Sequence, residues 1–314
     1  MKPIITYIAV PSALVAVLFV ACSSSSATGF AGSDAGGTTA DSGGGGSTDS
    51  GGIAPSGDVT KACADSAAAF CAQIQSCSPF GLQATFGDIA TCQTRFALGC
   101  VQTLAFAGTT ATIASTEACA SALPAVSCSD FIAGRFGDAC STKPGALADG
   151  ANCGDDAQCT STFCARAPYS QCGVCSPLST AGAPCVNQAC STGFACPTGQ
   201  STCIVPVAGQ VGDTCHSQNE CDVAHAVGCN TGNTTCLKLE VASSGGSCGA
   251  DSISPSKFTV CPAGGSCDAV LNGSCHAAAA DGAACSTAST GPSCLSPARC
   301  VASICTLPDA NSCH

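Results

Sequence analysis

The stretch DGANCGDDAQCTSTFC, residues 149–164, places three cysteines within sixteen residues and a glycine three positions before the first of them. The same glycine-to-cysteine spacing returns four more times along the chain. The five copies start at Gly150, Gly182, Gly212, Gly245 and Gly282, so the period is about 30 to 37 residues. A near-constant period of this length is typical of a repeat protein. The sequence therefore predicts an array of five cysteine-rich units over residues 141–314.

The number of cysteines in each unit indicates how the array is cross-linked. The first unit has five cysteines, the next four units have four each, and one cysteine stands alone near the end. Four cysteines can close two disulfides within a unit, whereas the two odd counts require at least one disulfide between units. These cysteines are Cys153, Cys159, Cys164, Cys172 and Cys175; Cys185, Cys190, Cys196 and Cys203; Cys215, Cys221, Cys229 and Cys236; Cys248, Cys261, Cys267 and Cys275; Cys285, Cys294, Cys300 and Cys305; and Cys313.

The composition of the whole chain is that of an exported, disulfide-rich protein. It contains 31 cysteines in 314 residues but no tryptophan, and aromatic residues make up only 4% of it. Alanine and cysteine inflate the 46% apolar fraction, although each buries little area. So many cysteines indicate an oxidising compartment, in which disulfides replace a large hydrophobic core. We therefore predict a small disulfide-rich fold.

Residues 58–140 differ from the repeats because their apolar residues recur at helical spacing, as in Ala67, Phe70, Cys71 and Ile74. Cap and breaker residues predict a first helix that is capped by Thr60 and stops before Pro79, and a second helix over about Asp88 to Ala105. A third helix is predicted to start near Ser115 or Thr116, with Glu117 in its first turn, and Pro124 limits its length. One further helical turn is predicted to start at Cys128 and to be closed by Gly134. Eight cysteines lie here: Cys63, Cys71, Cys77, Cys92, Cys100, Cys119, Cys128 and Cys140. We expect an N-terminal helical domain held together by disulfides, followed by loops and short hairpins.

The amino-terminal residues have the layout of a secretory signal peptide, residues 1–21. One positive charge at Lys2 precedes the uncharged stretch 4–20, and the small residue Ala21 stands directly before Cys22. A membrane-spanning helix is the alternative, but the apolar run is slightly short and no basic stop signal follows it. Residues 22–57 are rich in Gly, Ser, Thr, Ala and Asp, which predicts a flexible tether.

The segment Phe19-Val20-Ala21-Cys22 resembles the lipobox of bacterial lipoproteins, although that family prefers Leu where this chain has Phe19. The resemblance implies cleavage before Cys22 and attachment of lipid to this cysteine, which would anchor the protein to a membrane. It also implies the outer membrane rather than the inner one, because Ser23 stands where Asp signals inner-membrane retention in enteric bacteria. Without Cys22, an even number of cysteines remains, which predicts that all of them form disulfides.

Residues 149–164 resemble the D-G-x-x-C-x-x-D-x-x-C-x-x-x-x-C units of Dickkopf N-terminal-like cysteine-rich repeats. Such repeats after a short cysteine-bearing helical block are similar to surface lipoproteins that are abundant in predatory soil bacteria. The resemblance extends from about Cys63 to Cys313 and consists mainly of cysteine spacing. It implies a secreted cysteine-rich module without an assigned catalytic site, and the Wnt-coreceptor role of the animal proteins does not follow from it.

Cys172 and Cys175 form the only C-x-x-C of the chain. No βαβ pattern surrounds them, and Arg166 is the only permanent cation of the repeats within ten residues, so redox chemistry is disfavoured. A zinc site would need a second ligand pair at matching spacing. Cysteines in an oxidising compartment form disulfides before they can form a metal cluster. Structural disulfides are therefore the favoured interpretation.

Histidines and acidic residues supply two further groups of candidates. Cys215-His216 and Cys275-His276 repeat a neighbouring pair, but adjacent residues of an extended loop point apart, which disfavours catalysis. Asp149 and Asp155-Asp156 offer oxygen ligands for Ca²⁺, but the EF-hand spacing and its terminal Glu are absent. We interpret both groups as parts of polar loops.

The charge balance and the motif search limit the possible functions. The net charge is −11 with nine basic residues and no cluster of them, which excludes a nucleic-acid partner. Hydrolase, Walker, zincin and dinucleotide signatures are absent from the folded region, so we predict no catalytic residue, no cofactor and no metal, and hence no enzyme. We expect a cell-envelope lipoprotein that displays a disulfide-rich interaction or structural module to an extracellular or periplasmic protein or glycan. A protease inhibitor and a metal-sequestering protein are the alternatives.

Overall fold

The computed structural model describes residues 57–167, 170–186, 190, 194, 196, 201–205, 208–215, 220–230, 234–250, 257–269, 272–287 and 291–313. The described chain begins with helices and continues with small sheets, and disulfides join both parts. This confirms the disulfide-rich class with a helical N-terminal region. The predicted signal peptide, the tether up to residue 56 and Cys22 lie outside the described residues.

Five α-helices lie between residues 57 and 132 of the described chain. They are α1 (Gly57–Cys77), α2 (Pro79–Thr85), α3 (Ile89–Ala105), α4 (Ile113–Ala122) and α5 (Cys128–Ile132), with 3₁₀ turns at Leu123–Ala125 and Asp138–Cys140. Gly134 follows α5 with a φ of +72°, so the predicted glycine closure of this helix is confirmed.

The predicted start of the first helix was wrong, whereas its predicted end is confirmed. Thr60 lies inside α1 and is not its cap, because the helix already begins at Gly57. The helix ends at Cys77, before Pro79, and Pro79 is the first residue of α2, a helix that the sequence did not predict. The Ser78 hydroxyl accepts the N–H of Gly81 at 3.1 Å and caps the new helix. Proline suits this position because the first N–H of a helix has no partner within it.

The helix that the sequence predicted over about Asp88 to Ala105 is confirmed as α3, with Asp88 as its N-cap. The Asp88 carboxylate accepts the backbone N–H of Thr91 at 2.7 Å, and this bond holds the pKa of the carboxyl group below its usual value. The helix that was predicted to start near Ser115 or Thr116 is α4, and it starts earlier, at Ile113. Thr112 caps it in a reciprocal capping box with Ser115, so Glu117 lies beyond the first turn.

A phenylalanine cluster forms the core of the helical part. The Phe70 ring of α1 stacks on Phe96 of α3 with centroids 4.4 Å apart, and it also contacts Phe131 of α5 at 5.2 Å. Ile74 and Phe86 are fully buried beside them. Four disulfides surround this core and link α1 to α3 and α5, and α4 to the last 3₁₀ turn: Cys63–Cys100, Cys71–Cys92, Cys77–Cys128 and Cys119–Cys140.

The repeats contain short strands in three sheets. The first has the order β1-β3-β2, with β1 (Asn152–Cys153), β2 (Cys164–Ala165) and β3 (Gly173–Cys175). The second has the order β4-β5-β7-β6-β9-β8, with β4 (Val227–Asn230), β5 (Thr235–Val241), β6 (Ser247–Ala250), β7 (Lys257–Val260), β8 (Ser266–Cys267) and β9 (Gly273–His276). The third is the hairpin of β10 (Arg299–Val301) and β11 (Ile304–Thr306). Because β5 pairs with β7, one sheet joins the third unit to the fourth.

The glycine that begins each unit occupies the same turn in all five. The residue after the glycine donates its N–H to the carbonyl three residues before it, at 2.8 to 3.1 Å. The five glycines have φ values of +69° to +97°, which is the conformation that the third residue of a type II turn requires. A β-carbon at any of them would meet nothing within 4 Å, so the backbone conformation explains the glycine and crowding does not.

A second backbone hydrogen bond, found in every unit, joins this turn to the last cysteine that forms a disulfide within the unit. We call this residue the last bridging cysteine. Cys175, Cys203, Cys236, Cys275 and Cys305 each donate their N–H to the carbonyl of the residue after the turn glycine, at 2.8 to 2.9 Å. In the first, second, third and fifth units the glycine N–H also donates to the carbonyl of that cysteine, at 2.7 to 2.8 Å. The repeat period in the sequence therefore corresponds to a repeated backbone structure.

Each unit is closed by two disulfides with one pairing scheme. Of the four cysteines that bond within a unit, the first joins the third and the second joins the fourth; Cys172 of the first unit bonds outside its unit. The pairs are Cys153–Cys164 and Cys159–Cys175, Cys185–Cys196 and Cys190–Cys203, Cys215–Cys229 and Cys221–Cys236, Cys248–Cys267 and Cys261–Cys275, and Cys285–Cys300 and Cys294–Cys305. Three of the four sulfurs of each unit lie within 4.8 Å of one another. The buried clusters of the repeats consist mostly of these cysteines.

The two kinds of core predict different responses to reduction. After treatment with a dithiol and alkylation, the helical part should keep some of its far-ultraviolet helical signal, because Phe70, Phe96 and Phe131 remain buried together. The repeats should become sensitive to protease, because cysteine pairs form most of their core. Circular dichroism and limited proteolysis, each compared with the oxidised protein, measure the two effects. Protease resistance of the fully reduced repeats would contradict this account.

Candidate functional site

The first, third, fourth and fifth units contact the helical part, beginning with the first. The Thr103 hydroxyl of α3 donates to the Asp155 carboxylate at 3.0 Å, and the Gln158 side-chain amide donates to the Ala107 carbonyl at 2.7 Å. The Phe106 ring lies against Gly154, where a β-carbon would come within 2.3 Å of the ring. The first unit is therefore fixed at the carboxyl end of α3.

The third and fourth units contact the short helix α2. The Ser78 hydroxyl donates to the Ala224 carbonyl of the third unit at 2.8 Å. The N–H groups of Ala263 and Gly264 in the fourth unit donate to the carbonyls of Gln83 and Ala84, at 3.1 and 2.7 Å. Both carbonyls lie in the last turn of α2, and that of Gln83 also accepts the N–H groups of Phe86 and Gly87 at the end of the helix. The fourth unit thus caps the helix that Pro79 begins.

The fifth unit is held on α3 by Arg95, whose side chain is only 11% exposed. Its guanidinium group forms a two-pronged ion pair with Asp281, at 2.6 and 2.9 Å. It also donates to the carbonyls of Ser296 at 2.7 Å and Leu295 at 2.5 Å. Asp281 is the residue before the turn glycine of its unit, so the repeated turn presents it to the helix.

The array closes on itself where the fifth unit and the C-terminal tail meet the first unit. Cys172 forms a disulfide with Cys313, which is 141 residues away. The Gln171 amide donates to the carbonyls of Thr306 at 3.2 Å and Leu307 at 3.1 Å. This disulfide confirms the predicted bridge between units, since it joins the first unit, which has an odd number of cysteines, to the single cysteine of the tail. We call the contact of residues 170–172 with residues 299–313 the seam.

Arg299 lies at the seam and has Arg166 near it. Arg299 donates from Nη1 to the Ser170 carbonyl at 2.8 Å, and Arg166 donates from Nη1 to the Gly154 carbonyl at 2.9 Å. Burial, followed by the nearby positive charge of Arg166, lowers the pKa of Arg299 to about 10. Sequence analysis considered Arg166 only as a neighbour of the C-x-x-C and did not select Arg299. Only the fold brings the two residues together, from positions 133 residues apart in the chain.

The two cysteines of the C-x-x-C belong to different disulfides. Cys172 joins Cys313, whereas Cys175 joins Cys159 of its own unit. The structure thus gives both sulfurs structural partners, and they do not form a disulfide with each other. Gly173 between them allows a close approach, because a β-carbon there would come within 2.6 Å of Arg166 Cγ.

Of the two Cys-His pairs, the described residues include only the histidine of Cys275-His276, and the cysteine beside it is in a disulfide. His276 lies on β9 and its Nε2 is 3.4 Å from the Asp268 carboxylate, while the neighbouring Cys275 is bonded to Cys261. His225, which sequence analysis did not single out, contacts Asp222 at 2.8 Å through Nδ1. His216 and His314 lie outside the described residues.

The acidic candidates of the first unit hold the loop together. The Asp155 carboxylate accepts the N–H of Ala157 at 3.0 Å in addition to the Thr103 hydroxyl. The Asp156 carboxylate accepts the N–H of Cys164 at 2.7 Å. Both side chains are buried, whereas Asp149 is exposed. The carboxylate oxygens are thus used by protein donors, which agrees with the interpretation as a polar loop.

An open, largely apolar depression of about 320 Å³ adjoins the closing disulfide. It is lined by Ala107, Gly108, Leu147, Ala151, Asn152, Gln158 and Cys313. Gln158 is the buried side chain that fixes the first unit to α3, so the depression lies where the first unit, the helical part and the C-terminal tail meet.

Across the part of the chain that the structure describes, none of the helices has the length and apolar character needed to span a bilayer.

Comparison of this chain with known protein families, with curated proteins and with solved structures finds no match.

Replacement of Arg95 by Met should loosen the fifth unit from α3 and leave the helical core intact. Met keeps the apolar stem but removes four charge-assisted hydrogen bonds, which we expect to cost about 2 kcal/mol of local opening free energy. Hydrogen exchange of residues 281–299 measures the change.

Arg135→Met is the matched control, because the ion pair of Arg135 with Asp130 is solvent-exposed on both sides. It should leave exchange of the fifth unit unchanged. Equal exchange of residues 281–299 in the two variants would show that Arg95 does not hold this unit.

Proposed function

We propose that this chain is a lipid-anchored protein of the cell envelope whose disulfide-closed body serves as an interaction or structural module. The observation that carries the proposal is the closure of the repeat array around the helical part through Cys172–Cys313. A body cross-linked in this way holds its surface groups in fixed positions, so little conformational entropy is lost when a partner binds.

The anchoring part of the proposal is supported by the sequence around Cys22. An apolar segment and a small residue precede this cysteine, and a polar tether of about 35 residues follows it. A lipid on Cys22 would hold the body away from the bilayer by the length of the tether. Ser23 favours the outer membrane by analogy with enteric lipoproteins.

The disulfide pairing bears on the metal-sequestering alternative. Thiolates are the ligands that such a protein needs, and thirty cysteines are instead joined as fifteen disulfides. The pairing therefore favours an interaction or structural module over sequestration.

Substitution of Cys22 tests the anchor. In the native host, Cys22→Ala should abolish incorporation of labelled fatty acid and move the protein from the membrane fraction to the soluble fraction. Ser24→Ala is the control, because it alters the tether but leaves the cysteine and Ser23 in place, and it should remain membrane-bound. Membrane association of the Cys22→Ala protein would contradict lipid anchoring.

The same released protein tests the module. Added back to intact host cells that lack the native chain, it should bind saturably, and prior reduction should abolish this binding. Binding that is absent, or that is unchanged after full reduction, would contradict a disulfide-fixed interaction surface.

A further inference from the structure

The two disulfides of each repeat unit lie close together, which distinguishes them from the disulfides of the helical part. In every unit, three sulfurs are within 4.8 Å of one another, and these three always come from both disulfides. The fourth sulfur of the unit is bonded to one of the three. Within the described residues, the four disulfides of the helical part contribute to no such group. Each unit therefore gathers four sulfurs in one place.

The first unit shows how the fold collects these sulfurs. Cys153, Cys164 and Cys175 lie on the three strands of one small sheet, and Cys159 directly follows a 3₁₀ turn. All four residues are at most 3% exposed. The N–H of Cys164 donates to the Asp156 carboxylate at 2.7 Å, and the N–H of Cys175 donates to the glycine turn. Noncovalent contacts thus hold two of the four positions in addition to the disulfides.

The spacing of the sulfurs suits a zinc ion. Structural zinc sites use four cysteine ligands with Zn–S distances of about 2.3 Å, which places the sulfurs of a tetrahedral site about 3.8 Å apart. In the second unit, the sulfurs of Cys185 and Cys190 belong to different disulfides and are 3.9 Å apart. Only thiolates bind the metal, so both disulfides of a unit must first be opened. Rotation of the freed side chains then separates the sulfurs that had been bonded.

We propose that each repeat unit, when reduced, binds one Zn²⁺ through its four cysteine thiolates, and that the metal then replaces the two disulfides as the cross-link of the unit. A dithiol reductant transfers two electrons and two protons to each S–S bond, which yields two thiols, and the dithiol becomes a cyclic disulfide. The four thiols of the unit release four protons to the buffer as they bind Zn²⁺.

The proposed site belongs to the chain before its disulfides form, or after a thiol reductant has opened them. The oxidised protein has no thiolate in these units and should not hold the metal there. The site is independent of the lipid anchor, and it goes beyond the proposed function. Because the metal joins the same four positions of the chain as the disulfides, its binding should stabilise the folded unit against the unfolded one.

Metal titration of the reduced full chain tests the proposal. The chain carries Cys22→Ala, so its thirty remaining cysteines are those of the fifteen disulfides. It is reduced with a dithiol, which is removed without oxygen before the metal is added. Elemental analysis after gel filtration should find five zinc ions per chain, one for each unit. Co²⁺ as a second probe should give the intense visible absorption of a tetrahedral site with sulfur ligands.

The number of bound ions distinguishes built sites from indiscriminate binding, since thirty thiols used in any groups of four would bind about seven ions. The paired substitution Cys153→Ser with Cys164→Ser removes two ligands of the first unit and should lower the count from five to four. Cys63→Ser with Cys100→Ser is the matched control, because it removes the same number of thiols from the helical part, and it should leave the count at five.

Limited proteolysis supplies a readout that does not depend on counting. Addition of zinc to the reduced chain should restore the protease resistance of the repeats that reduction removes. Repeats that stay sensitive with five ions bound would overturn the proposal, because the metal would then not replace the disulfides. The absence of stoichiometric zinc, a count near seven, equal counts in the two paired variants, or retention of five ions by the unreduced protein would overturn it as well.

Discussion

The disulfide between Cys172 and Cys313 determines the arrangement of the whole molecule, because it joins the two ends of the repeat array. The two cysteines are 141 residues apart, and their bond returns the fifth unit to the first. A loop of this length stabilises an otherwise uncross-linked chain by about 5 kcal/mol, and by less here because other bridges already shorten the loop. Closure also creates the seam, at which Arg299 and Gln171 bond across units.

Two modes of stabilisation meet in this closed body. The helical part buries phenylalanines and Ile74 in a conventional hydrophobic core. Each repeat unit instead packs two disulfides against a glycine turn, with the same hydrogen bond between the turn and the last bridging cysteine. The unit can therefore vary most of its other residues. One variable position, Asp281 of the fifth unit, contacts Arg95 and attaches the array to α3.

Local features of this fold could be predicted from the sequence, and contacts between distant residues could not. The period of the glycines predicted the units, because the turn requires a positive φ and glycine adopts it without strain. Asp88 correctly marked the start of α3. Pro79 correctly predicted the end of α1, but the sequence did not show that the same proline begins α2. The partner of Cys313 could not be chosen among the five cysteines of the first unit by counting, and the hydrogen bond from Arg299 to Ser170 could not be predicted without that partner. The sequence favoured a polar loop at Asp155 and Asp156, but the hydrogen bond that Asp155 accepts from Thr103 could be found only in the fold.

The central claim is that the repeat array is a closed ring, and disulfide mapping of the unreduced protein tests it most directly. The mature protein is alkylated under denaturing conditions without reductant, digested, and analysed by mass spectrometry for linked peptides. We expect the peptide that contains Cys172 to be joined to the peptide that contains Cys313, with both free of alkylation. A free Cys313, a Cys313 bonded to a second copy of the chain, or a bond between Cys172 and Cys175 would contradict the closed ring.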